Sequence, residues 1–238
     1  SDDAQLISLN GNINVKSNNN SNLNINAGGN ALGGVSVGGS VAVGSNGNRI
    51  KNEIGDNASI ISELGNVSIF SLSNDDISVI SYGGSDGIAA IAGSVAQFDS
   101  DKTTGIMTGS GTSIKGNNVD IKAHSINDYY IKAWGDSSGI ITAAGSFAKS
   151  NLKNDTYVLM NSSLTSDTSS NLKSLADNTL EQYSISTAGK SRNLSDLASD
   201  LFSGNIETLL NPDNWFVSVL SIGGSVSSVS FDNDSTLT

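Results

Sequence analysis

The chain has 238 residues, a formal net charge of −11, no cysteine and a single histidine. The acidic balance and the scatter of the twelve basic residues argue against a nucleic-acid or anionic-membrane surface, because phosphate binding requires clustered Lys and Arg. Neither a disulfide framework nor an ordinary transition-metal site is expected from so few sulfur and imidazole groups, and no run is long and apolar enough for a transmembrane helix. We expect no cofactor.

From the N-terminus onward, apolar and polar residues alternate with a period of two. Clear examples are residues 22–26 (NLNIN) and 119–123 (VDIKA). This alternation predicts half-buried β-strands, with β-branched residues inward and Gly, Asn, Asp and Ser at joints that need positive φ or capping. The regular apolar positions argue against disorder, except at 17–21 and 167–171.

A Gly-Ser pair flanked by small or β-branched residues recurs along the chain. Its glycines are Gly39, Gly93, Gly145 and Gly224, so successive intervals are 54, 52 and 79 residues. The third interval is one period plus about 27 residues. Such fixed-period similarity predicts a fold built by stacking one unit on the next.

These strands and repeats predict an all-β fold, a right-handed parallel β-helix with two or three turns in each unit. Polar stretches at 45–48, 99–102, 151–155 and 232–234 are predicted turns between strands. An antiparallel sandwich is the alternative, but it does not require the same sequence to return every 52 residues. Because the chain begins and ends within repeats, we expect it to be a segment of a longer protein.

The long third interval coincides with a helical pattern. Apolar residues in 194–202 follow i, i+3, i+4, i+7 spacing, and a second short helix is predicted from Asn205 to the Asn211-Pro212 stop. We therefore divide the chain into β-helix repeats at 1–189, a helical insertion at 190–213 and a β-helix continuation at 214–238. The insertion either projects towards a partner or packs back on the stack.

Large apolar residues are concentrated in and beside this insertion, as hot spots of binding sites are. The candidate partner-binding residues are Leu197, Leu201, Phe202, Leu209, Leu210 and Trp215.

Catalytic groups are not expected. His124 is interpreted as a surface turn residue, and the carboxylates stand at equivalent repeat positions, as structural Asx turns do. These carboxylates are Asp75, Asp76, Asp99, Asp101, Asp155, Asp232 and Asp234. A polysaccharide-degrading β-helix enzyme remains the alternative, since such enzymes use clustered carboxylates. Residues 83–87 (GGSDG) are faintly similar to a calcium-binding repeat, but no second copy follows nine residues later, and we expect no specific metal site.

Two passages resemble a known group of proteins. Residues 87–96 (GIAAIAGSVA) and 116–123 (GNNVDIKA) are similar to passages of large bacterial exoproteins, the filamentous-haemagglutinin-like adhesins and leukotoxin-type proteins exported by two-partner or autotransporter (type V) secretion. The resemblance covers nearly the whole chain outside 189–214. It implies a long right-handed β-helix, secreted or on the outer cell surface, and it supplies no catalytic residues.

The expected function is therefore that of a non-catalytic segment of a virulence factor, an adhesin or a leukotoxin. Its expected partner is a host cell-surface protein or glycan, with membrane contact only if the toxin interpretation is correct. A purely structural stalk of an autotransporter passenger is a further alternative.

Overall fold

The computed structural model describes residues 2–189 and 220–238, and this part of the chain contains β-strands and no helix. The strands are β1 Gln5–Ser8, β2 Ile13–Leu32, β3 Val35–Asn46, β4 Arg49–Ile54, β5 Ser59–Ser62, β6 Val67–Asp86, β7 Ala89–Thr108, β8 Thr112–Ser138, β9 Ile141–Leu159, β10 Ser162–Ala188 and β11 Leu220–Leu237. The predicted helical insertion at 190–213 lies outside the described residues.

The strands form two parallel sheets between which the chain alternates. Sheet A has the order β1-β5-β8-β6-β2, with β10 along the other edge of β8. Sheet B has the order β11-β9-β7-β3, with β4 also paired to β7. Each described strand pairing is parallel, so the all-β, parallel part of the prediction is confirmed.

The register of sheet B follows the Gly-Ser repeat. Gly39 is the Cα partner of Gly93, Gly93 of Gly145, and Gly145 of Gly224. Strands therefore pair at the sequence intervals of the repeat. The chain enters each sheet once per unit, so the prediction of two or three turns per unit is wrong. Polar stretches that resemble turns lie inside single long strands, so each unit contains fewer strands than its sequence suggests.

An apolar core fills the space between the two sheets. One cluster joins Ile69 and Ile121 of sheet A to Ile106 and Val158 of sheet B. A second cluster joins Ile77 and Ile131 to Phe98 and other residues of sheet B. Burying each large side chain contributes about 1.5–3 kcal/mol.

A polar layer lies within this interior, and it explains why most of the predicted turns are wrong. We define it as Asn46, Asp75, Ser100, Lys102, Asn127, Asn154 and Asn178. The Lys102 ammonium lies 2.6 Å from the Asp75 carboxylate, with both side chains almost fully buried. Because inward polar groups are satisfied across the two sheets, β7 continues through 99–102 and β9 through 151–155. β11 likewise continues through 232–234. Only at 45–48 does a strand end, where β3 gives way to β4.

Left-handed backbone recurs at one equivalent joint, as the sequence predicted. Asp3, Asn57 and Gly111 have φ values of 56°, 53° and 73°, and they stand 54 residues apart, the spacing of the adjoining strand registers. Asp, Asn and Gly are the residues that tolerate this conformation. The residue types suited to a left-handed turn therefore recur at the same interval as the repeat.

Candidate binding surface

The partner-binding residues proposed from the sequence cannot be placed. Leu197, Leu201, Phe202, Leu209, Leu210 and Trp215 all lie outside the described residues. A candidate site within 2–189 and 220–238 must therefore come from the outward faces of the two sheets.

The structure separates most of the candidate carboxylates. Asp75 is buried against Lys102. Asp99 accepts hydrogen bonds from Gln97 at 2.9 Å and from Asn151 at 2.6 Å, which are contacts along and across sheet B. Asp101 lies 3.9 Å from the Arg49 guanidinium with both side chains exposed. Each of these three carboxylates therefore has a hydrogen-bond or ion-pair partner within the fold.

Three of the carboxylates do come together on the outer face of sheet B. Asp155 and Asp234 are Cα partners, and Asp232 is the partner of Lys153. With Tyr157 they line a cleft of about 380 Å³. The Lys153 ammonium lies 3.9 Å from Asp155, and both groups remain substantially exposed.

His124 faces outward from sheet A, as the sequence suggested, but it is in a strand and has a partner. Its Nε2 lies 2.7 Å from an Asp177 carboxylate oxygen on β10. The histidine therefore belongs to a cross-strand contact and not to a turn. Within the described part of the chain, no group of three or more His, Asp or Glu side chains has a metal-binding arrangement.

Four aromatic residues form the most distinctive outward feature of sheet A. This aromatic strip consists of Tyr82 on β6, Tyr130 and Trp134 on β8, and Tyr183 on β10. Tyr82 and Trp134 are Cα partners whose ring centroids lie 5.5 Å apart at an interplanar angle of 80°. Tyr130 and Tyr183 lie 5.9 Å apart at 55°. Such cross-strand aromatic pairs are favourable, and they hold the rings in defined positions.

The strip remains accessible to a ligand. Trp134 is 38% exposed and Tyr183 is 43% exposed. The Lys132 ammonium lies 5.0 Å from the Trp134 ring centroid, a cation–π contact that places a hydrogen-bond donor beside the ring.

Carboxylates border the aromatic strip on one side. Asp76 and Asp128 are Cα partners on β6 and β8, and both side chains are exposed. With Tyr130, Thr179 and Glu181 they line a cleft of about 350 Å³. Asp128 makes no hydrogen bond or ion pair within the described residues. Like charges directly opposite each other destabilise a sheet, so sheet stability does not account for this pair.

The carboxylates also affect the tyrosines of the strip. Burial raises the pKa of Tyr82, and the charges of Asp136 and Asp86 raise it further. The neighbouring Glu181 carboxylate raises the pKa of Tyr183, whose hydroxyl donates to it at 3.4 Å. Both phenols are therefore neutral hydrogen-bonding groups at physiological pH.

The outer face of sheet B has a different character. The repeated glycines Gly39, Gly93, Gly145 and Gly224 form the floor of a glycine trough, with Val41 and Phe147 among the residues beside it. Its volume is about 640 Å³, and Val41 is 63% exposed. The trough is apolar and lacks charged side chains that would orient a ligand. The aromatic strip is therefore the better candidate site.

No family model, curated protein or solved structure matches this chain. No helix among residues 2–189 and 220–238 is long and apolar enough to cross a membrane.

The sequence pattern predicts strands at Tyr82, Tyr130 and Trp134, but it did not mark these residues as a site. The repeat period places Tyr82 opposite Trp134, because the two residues stand 52 positions apart, and the strand register agrees. Both side chains alternate with inward apolar residues, so the sequence pattern already places the two rings on the same outer face. Tyr183 was missed because the fourth unit of sheet A carries few residues in common with the others.

Proposed function

We propose that this chain is a right-handed parallel β-helix that forms a non-catalytic segment of a large secreted or surface-exposed bacterial exoprotein, acting on host cells as an adhesin or leukotoxin. The observation that carries the proposal is the continuous parallel register that joins successive sequence repeats in both sheets. A chain that adds one layer per repeat forms an elongated body whose outer faces can be extended and displayed.

Two further features support a role in binding. The interior is occupied by apolar clusters and by the polar layer, so a ligand has to meet the outer faces. The outer face of sheet A presents paired aromatic rings beside exposed carboxylates, and binding hot spots are enriched in Trp and Tyr. The resemblance to type V exoproteins adds secretion or outer-surface location and a host-cell partner.

Adhesin and toxin are separated by exposing host cells to the purified chain. The adhesin proposal expects saturable binding to host cells without lysis. The toxin proposal expects permeabilisation of leukocytes by the longer protein, lost when this segment is deleted. A chain that shows neither result would have the role of a structural stalk.

The cleft around Asp155, Asp232 and Asp234 favours one second candidate, a polysaccharide-degrading enzyme. That activity would depend on carboxylates acting as acid and base. It expects depolymerisation of a polysaccharide that is abolished by Asp155→Asn and by Asp234→Asn. Asp99→Asn serves as the matched control, because Asp99 is held by Gln97 and Asn151 outside the cleft. No product from a polysaccharide panel would contradict this candidate.

A further inference from the structure

We propose that the aromatic strip and its neighbouring carboxylates bind a neutral oligosaccharide. The inference rests on the proposed host-cell function and gives it a ligand class and a location on the outer face of sheet A. It is carried by the arrangement of the four rings, the exposed carboxylates beside them and the sign of the local charge.

The rings are spaced for a chain of sugars. Tyr130 and Trp134 are four residues apart on β8, which corresponds to about 13 Å along a strand. Each of these two residues pairs with an aromatic residue on a neighbouring strand, Tyr183 and Tyr82 respectively. Aromatic rings offer apolar faces with a negative quadrupole, against which the C–H face of a sugar ring packs. Two such platforms suit an oligosaccharide better than a single sugar.

The polar groups beside the rings match sugar hydroxyl groups. Asp76, Asp128 and Glu181 can accept hydrogen bonds, and ionised acceptors form stronger hydrogen bonds than neutral ones. Among the residues that the structure describes, Asp76 accepts a hydrogen bond only from the Asn22 amide, at 3.5 Å. Asp128 retains its full hydrogen-bonding capacity for a ligand, which also gives a reason for the unfavourable Asp76–Asp128 pair.

Charge selects against acidic ligands, and Lys132 competes with cationic ones. Asp76, Asp128 and Glu181 make the cleft negative, so sialylated and sulphated glycans are repelled. A cationic ligand such as a quaternary ammonium would compete with Lys132, which already lies over the Trp134 ring. A neutral glycan is not repelled by the carboxylates, and its hydroxyl groups can accept a hydrogen bond from the Lys132 ammonium.

The test uses the purified chain on a glycan array. The array contains neutral oligosaccharides ending in galactose or N-acetylhexosamine, together with their sialylated and sulphated counterparts, and choline-coated beads provide the cationic probe. We expect binding to neutral members alone. For the best neutral glycan, calorimetry should show that Trp134→Ala and Tyr183→Ala each weaken binding at least about tenfold.

Two further variants make the result specific. Asp128→Asn should weaken binding of the same neutral glycan without lowering the melting temperature, because it removes a charged acceptor and relieves a like-charge contact. Phe147→Ala is the control, since it removes an outward aromatic side chain from sheet B beside the glycine trough. It should leave glycan affinity unchanged.

The outcomes separate this inference from the proposed function. Absence of neutral-glycan binding, binding only to choline, or equal glycan binding by folded Trp134→Ala and Tyr183→Ala would overturn the inference. Host-cell binding that persists in such a case would leave the proposed function in place through another surface. Glycan binding that depends on the strip, without any effect on host cells, would support the inference and contradict the proposed function.

Discussion

A Cβ atom on Gly83 would collide with the backbone carbonyl oxygen of Gly93 on the facing sheet. The same relation holds between Gly29 and Gly39, and between Gly135 and Gly145, which occupy equivalent positions in neighbouring layers. The two sheets therefore approach each other closely along this line, which gives a physical reason for glycine at positions 29, 83 and 135.

Gly83→Ala is expected to destabilise the fold by about 1–3 kcal/mol, because backbone atoms of the facing sheet must move to admit the methyl group. Gly93→Ala is the matched control, since its Cβ would meet no atom within 4 Å. The control should be neutral or stabilising by about 0.4–1 kcal/mol through the unfolded state. Urea unfolding of the two variants measures the difference, and equal losses would contradict the close approach of the sheets.

Lys102→Met is expected to cost about 3–5 kcal/mol, because it leaves the Asp75 carboxylate buried without its cation. The double variant Lys102→Met/Asp75→Asn should recover most of this loss, since no uncompensated charge remains and the amide can still bond within the polar layer. Chemical unfolding of the single and double variants provides the check. A double variant as unstable as the single one would mean that the ion pair is not the source of the effect.

Ionisation of Tyr129 should lower the stability of the protein above pH 10. Burial raises the pKa of Tyr129 above the ordinary value of 10.0, although hydrogen bonds with Ser100 and Asn154 counteract part of this effect. The unfolded chain therefore loses the phenolic proton first. The stabilisation is complete below the unfolded pKa and is lost as the pH rises towards the folded pKa, with a slope of at most about 1.4 kcal/mol per pH unit.

Unfolding free energies of the wild type and Tyr129→Phe between pH 9 and pH 11 test this sign. Lys102 acts in the opposite direction in this range, because burial lowers its pKa below 10.5, but it is common to both proteins. The decline above pH 10 should be shallower in Tyr129→Phe. Parallel curves would show that the Tyr129 hydroxyl does not titrate differently in the folded chain.

Deletion of residues 190–218 should preserve the two sheets. β11 pairs with β9 in continuous register from Leu220 and Ile141 onward, as β9 pairs with β7. The deletion leaves Gly189 and Val219 between β10 and β11, which matches the two-residue connection Gly139-Ile140 between β8 and β9. A retained β-sheet circular dichroism signal and a cooperative melt are expected. Loss of either would show that the segment is integral to the fold.

The polar layer is the part of the fold that could not be predicted from the sequence. Residues 99–102 (DSDK) resemble a turn, because charged and small polar residues usually mark the surface. In the structure Ser100 and Lys102 point inward, and Lys102 meets Asp75 on the other sheet. Nothing in the local sequence of 99–102 predicts that Lys102 pairs with Asp75, which precedes it by 27 residues.

Part of the candidate site could be predicted from the sequence. Repeat alignment places Tyr82 beside Trp134, but it does not place Tyr183 near Tyr130, because those residues are diagonal neighbours and not register partners. Which aromatic rings remain exposed depends on how neighbouring outward side chains pack. The sequence therefore identifies the strands that carry the site. Which of their residues form the site depends on how the sheet assembles.

The sequence by itself determined the β-strands, the inward and outward parity of their residues, and the pairing of Gly39 with Gly93 and of Gly93 with Gly145, because alternation and period are properties of the chain read in order. Only the tertiary structure decided that each unit passes once through each sheet, that Lys102 is buried, and that four aromatic rings gather on sheet A. The physical reason is that burial of a polar or aromatic group is set by partners from distant layers, and those partners exist only once the sheets have formed.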